Sequence, residues 1–131
     1  MKRFLSRITL AGVLLSVALA AMACNVAAVA TQPASQGPID PNAVKIVAAG
    51  QQFTTAEVTR SAGKAFQLVF ESQTSDAHNV AISLGGGEPV FRSDVFNGPA
   101  TKTYQVGALT AGTYAFKCDV HPGMTGTLTV N

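Results

Sequence analysis

The chain has 131 residues, 47% of them hydrophobic and only 12% charged, with a formal net charge of +2. That length suits one compact domain with a core of its own. Beyond the first few residues no Lys/Arg cluster exists, so the charge pattern excludes an electrostatic case for nucleic-acid binding.

Met1 to Cys24 reads as an export signal. Lys2, Arg3 and Arg7 form a positive start, and Ile8 to Ala21 is an uncharged apolar run too short to span a bilayer comfortably. Removing it takes three of the nine basic residues and leaves the rest nearly balanced by the seven acidic ones. The run ends in Ala21-Met22-Ala23-Cys24, which resembles a bacterial lipobox, although that motif prefers Leu where Ala21 stands. The resemblance implies lipidation of Cys24 and an exported, extracytoplasmic protein held at a membrane surface. The competing reading is an ordinary cleaved signal that releases a soluble periplasmic protein. Residues 24–42 carry Pro33, Pro38 and Pro41 among Ala, Gln and Ser, the composition of a flexible tether. The expected boundaries are a signal peptide at 1–23, a tether at 24–42 and a folded domain at 43–131.

From Ala43 onward, short runs rich in Val, Ile, Phe, Tyr and Thr alternate with Gly, Pro, Asn and Ser, so the fold class is all-β, a sandwich or barrel. Predicted strands are Val44–Ala49, Glu57–Arg60, Ala65–Glu71, His78–Leu84, Thr101–Val106, Gly112–Cys118 and Thr125–Val130. Gly85 to Ala100 reads as a long, irregular connection. Period-two alternation assigns the core faces: Phe66, Leu68 and Phe70; Val80, Ile82 and Leu84; Tyr114 and Phe116. The same parity turns His78 and Cys118 inward, each at the end of its strand.

Cys118, His121 and Met124 are spaced three residues apart between the last two predicted strands. Thiolate and thioether suit copper(I), imidazole suits both copper oxidation states, and a His, His, Cys site with a weak Met is the pattern of copper electron transfer. The fourth ligand follows by elimination, since His78 and His121 are the chain's two histidines. Met1 and Met22 fall in the signal, and Cys24 is assigned to the lipid, leaving one Cys and one Met for the domain. Taken singly, an edge His, a buried Cys or a packed Met would be unremarkable; their order and spacing together point to a metal. A Cys24–Cys118 disulfide is the competitor that export permits.

His78-Asn79-Val80, followed about forty residues later by Cys-x-x-His-x-x-Met, resembles the small cupredoxins, with loop spacing most similar to the amicyanins. The resemblance covers Val44 to Val130 and includes Tyr114-x-Phe116-x-Cys118. It implies a Greek-key β-sandwich of seven or eight strands with one type 1 copper ion. In that frame His78 and His121 supply imidazoles, Cys118 the thiolate and Met124 a long axial bond. Asn79 matches an Asn that pins the cysteine loop to the first ligand strand. Asp119 and Val120 depart from the Thr-Pro pair common in such loops, and the added carboxylate is expected to face solvent.

The implied activity is that of an electron carrier rather than an enzyme, because four protein ligands leave no position for substrate. Electrons would leave through His121, with Pro122 and Gly123 in a surface that docks transient redox partners, and a monomer is expected. Copper oxidases and nitrite reductases need further His-rich centres that two histidines cannot form. A copper-delivery or copper-sequestering lipoprotein would use the same ligands, and a metal-free adhesion sandwich is the structural alternative.

Overall fold

The computed structural model describes residues 29–131. The expected signal peptide, Cys24 and the first residues of the expected tether lie outside them. The described strands are β1 (Val44–Ala49), β2 (Gln52–Phe53), β3 (Glu57–Arg60), β4 (Phe66–Ser72), β5 (Ala77–His78), β6 (Ala81–Leu84), β7 (Pro89–Arg92), β8 (Phe96–Asn97), β9 (Ala100–Val106), β10 (Gly112–Lys117) and β11 (Thr125–Val130). One sheet has the order β2-β1-β4-β9 and the other β3-β11-β10-β6-β7, while β5 and β8 form a separate two-stranded ribbon. The chain crosses repeatedly between the two sheets, while β1–β2, β6–β7 and β10–β11 pair within one sheet, as in a Greek-key sandwich.

Alternation builds the core between these sheets. Phe66, Leu68 and Phe70 on β4 face Tyr114 and Phe116 on β10 and Leu128 and Val130 on β11, all buried. Burying each large side chain contributes about 1.5–3 kcal/mol before entropy is counted. Phe53 from β2 ties the layers together, meeting Phe116 edge-on at 5.2 Å and Phe70 at 6.2 Å.

Four expectations need correction. The single strand expected over His78–Leu84 is split, because Val80 leaves the ladder to exchange two bonds with Ser93. The Val80 amide donates to Ser93 Oγ and the Ser93 amide donates to the Val80 carbonyl, both at 2.9 Å. Leu84 is not core but 47% exposed, since β6 ends there in a turn whose Gly85 and Gly86 adopt positive φ. The connection from Gly85 to Ala100 contains β7 and β8; β7 is an edge strand that begins on Pro89, where a missing N–H is tolerated.

The fourth concerns the tether. From Gln32 to Asp40 it is hydrogen-bonded to the sandwich rather than free. The Gln32 amide donates to Arg92 O at 2.7 Å, the Ser35 amide to Thr103 O at 2.6 Å and the Asp40 amide to Gln67 Oε1 at 2.6 Å. Gln67 Nε2 returns a bond to Pro38 O. This strap explains why Gln67, on the outer face of β4, is itself buried.

Candidate metal centre

Three elements bring the chemistry to one end of the sandwich. His78 ends β5 and is paired across the ribbon with Phe96. Cys118 follows the last residue of β10, and parity with Phe116 carries its side chain inward to 1% exposure. The loop beyond closes on itself: the Met124 amide donates to His121 O at 2.9 Å and the Cys118 amide to Met124 O at 3.1 Å. That second bond sets Met124 beside Cys118 in the chain's fold, and both side chains belong to the buried apolar cluster.

His78 Nδ1 lies 4.0 Å and His121 Nδ1 3.9 Å from Cys118 Sγ. The ligand atoms of all three fall within 4.8 Å of one another, and the two imidazole rings are 4.9 Å apart. Such spacings would let one ion be held by the sulfur and both nitrogens together. A thiolate, two imidazoles and a neighbouring thioether are the donors of a type 1 copper site.

Burial and electrostatics favour ligation. Burial lowers the pKa of His78, and the nearby His121 lowers it further, against a small opposing effect of Asp76. The ring is therefore held neutral, the form that binds metal. Its Nε2 is buried without a hydrogen-bond partner, and its Nδ1 faces the Cys118 sulfur. His78, Cys118 and Met124 are sealed from solvent; His121 is partly exposed, and Pro122 and Gly123 are exposed beside it.

Asn79, 1% exposed, joins the two ligand-bearing segments. Its Oδ1 accepts the Asp119 amide and its Nδ2 donates to Asp119 Oδ2, both at 2.8 Å. Asp119 faces solvent only in part, because Arg92 Nε approaches the same Oδ2 at 3.1 Å. The Arg92 N–H is not aligned on that oxygen, so the contact is an ion pair rather than a hydrogen bond. Arg92 lies in the segment that sequence patterning treated as irregular. The only local signal there is the β-branched and aromatic pair Val90-Phe91 after Pro89.

The cupredoxin-like domain family model matches residues 14–130. No curated protein matches the chain. Among solved structures, auracyanin A, a "blue" copper protein from Chloroflexus aurantiacus, is 24% identical with a TM-score of 0.62, over 68% of this chain and 98% of that one. Amicyanin from Paracoccus versutus is 29% identical with a TM-score of 0.56, over 71% of this chain and 85% of the other. A dithionite-reduced auracyanin from Roseiflexus castenholzii, at 22% identity and a TM-score of 0.60, shares the fold.

Proposed function

Because the chain belongs to the cupredoxin-like family, we propose that it is a type 1 copper protein shuttling single electrons between extracytoplasmic redox partners. The observation that carries this reading is the convergence of two imidazole Nδ1 atoms on one buried cysteine sulfur. Bound copper supplies a one-electron couple there. The protein would supply the compromise that suits both oxidation states: His78 and His121 fit either state, while Cys118 and Met124 favour the reduced one. Anchoring His78, Cys118 and Met124 at the edges of packed strands, with His121 held in a loop closed by the Met124 amide bond to its carbonyl, limits rearrangement between states.

Access supports a carrier. His121 alone of the four candidate ligands reaches solvent, so it is the electron port, and Pro122 and Gly123 form the rim on which transient partners dock. The sequence around Cys24 supports export and lipid anchoring, with the folded domain held outside the cytoplasmic membrane. Substituting Cys24→Ala should shift the protein from the membrane to the soluble fraction; unchanged membrane association would remove the anchor from this reading.

Protein loaded with one copper equivalent should show an intense visible thiolate-to-copper band that disappears in Cys118→Ser. Reversible one-electron voltammetry without metal loss is expected. A colourless, redox-silent complex would refute the copper-carrier reading, and rapid loss of copper(I) to a chelator would favour delivery instead.

A further inference from the structure

We propose that Arg92 is a positioning residue of the metal centre: it neutralises the carboxylate placed next to the cysteine ligand and so sets the redox poise of the site. This rests on the copper reading above. Asp119 follows Cys118 directly, and a carboxylate one residue from a thiolate ligand favours the more highly charged oxidised metal unless another charge balances it. Arg92 Nε sits 3.1 Å from its Oδ2, Asn79 Nδ2 donates to the same oxygen at 2.8 Å, and Asn79 Oδ1 accepts the Asp119 amide at 2.8 Å. Asn79 adjoins the ligand His78, so the carboxylate next to Cys118 is held from the His78 segment and from β7.

The grip is built rather than incidental. Arg92 is fixed by the β-ladder through its pairing with Ala81. Its carbonyl accepts the Gln32 amide at 2.7 Å, while the Asp94 amide donates to Gln32 O at 3.1 Å, so the strap clamps the backbone on both sides of Ser93. Side-chain exposures of 38% for Arg92 and 31% for Asp119 mean that solvent weakens the pair without abolishing it. An exposed pair of this kind contributes little to overall stability, yet its field acts on a neighbouring site where His78, Cys118 and Met124 are buried.

Opposite signs follow for the two members of the pair. Arg92→Gln leaves Asp119 unbalanced, favours oxidised copper by a few-fold and lowers the midpoint potential. Asp119→Asn leaves Arg92 unbalanced, keeps an oxygen to accept from Asn79 and raises the potential. The double variant should return close to the parent value.

Voltammetry of copper-loaded protein at pH 7 and low salt, for all four members of this cycle, is the test, with added salt shrinking both single-variant shifts. Amide hydrogen exchange of Asp119 in the metal-free proteins gives a second readout: protection should fall in Asn79→Ala, which removes the acceptor, and change little in Arg92→Gln. Single variants that retain the visible band but shift the midpoint in the same direction, or not at all, would overturn the assignment. Loss of protection in Arg92→Gln as large as in Asn79→Ala would make Arg92 a structural brace and overturn it as well. Failure of the parent protein to form the band would instead defeat the copper reading, and the redox role of Arg92 with it.

Discussion

Asp94 shows how a single buried-edge residue supports the metal end of the fold. Lys102 Nζ donates to its Oδ2 at 2.6 Å and Tyr104 donates its hydroxyl proton to Oδ1 at 2.7 Å. Lys102 also lies 4.7 Å over the ring of Phe96, the residue paired with His78. Burial by itself would raise the Asp94 pKa, but the bonds from Lys102 and Tyr104 outweigh it and hold the carboxyl below its ordinary value of 3.8. Burial, reinforced by the Asp94 carboxylate, pushes the Tyr104 phenol up, so it stays a proton donor. Because the folded pKa is the lower one, Asp94 stabilises the fold above the unfolded value and loses that contribution as pH falls through the folded value. The contribution is about 1 kcal/mol or less, since the Lys102 pair is about one-third exposed. Urea midpoints measured from pH 7 to pH 2.5 should therefore converge for parent and Asp94→Asn as acid is added. A gap that widens in acid would contradict the assigned sign.

Among the strands, the tightest constraint lies between β10 and β11, where Phe116 is paired directly with Gly126. A Cβ on Gly126 would run into the Phe116 ring, which is fully buried and already packed edge-on against Phe53. Gly126 is therefore required for close approach, not for backbone freedom. Gly126→Val should destabilise the domain by about 1–3 kcal/mol through overpacking. It should also weaken copper retention, because Phe116 and Gly126 are each two residues from a candidate ligand, Cys118 or Met124. Denaturation and copper-release rates check both; a Gly126→Val protein as stable as the parent would show that the ring moves aside freely. This element also marks what sequence patterning can reach. Period-two parity located the core faces of β4 and β10 and the inward turn of Cys118, because continuous ladders enforce alternation. Parity failed at Leu84 and at the break after His78, where the bonds between Val80 and Ser93 depend on a partner thirteen residues away. Short strands such as β2 and β8 owe their existence to tertiary packing and leave almost no periodic signal.

At the scale of the whole molecule, the segment between Gln32 and Asp40 acts as a strap across the open side of the sandwich. Its composition does suit a tether, but composition says nothing about which carbonyls lie within reach. Gln32 bonds beside β7 and Ser35 bonds Thr103 on β9, and these are edge strands of the two different sheets. Ala34 packs on the core between those anchor points. Covering edges in this way protects exposed ladder groups from pairing with other chains. The hydrogen bonds contribute about 0.5–1.5 kcal/mol each, while ordering the segment costs about 1–2 kcal/mol per residue of backbone entropy. A small net stabilisation and a large effect on edge protection are therefore expected. Comparing residues 29–131 with a version starting at Ala43 should reveal a modest drop in urea midpoint. Concentration-dependent association should rise more markedly, as the β7 and β9 edges are uncovered. Light scattering and exchange of the Asp94 amide, which donates to Gln32 O, report the two effects separately. Equal association and equal exchange in both proteins would mean that the strap leaves the edges as accessible as before, and its bonds to Arg92 would then be too weak to steady that residue beside Asp119.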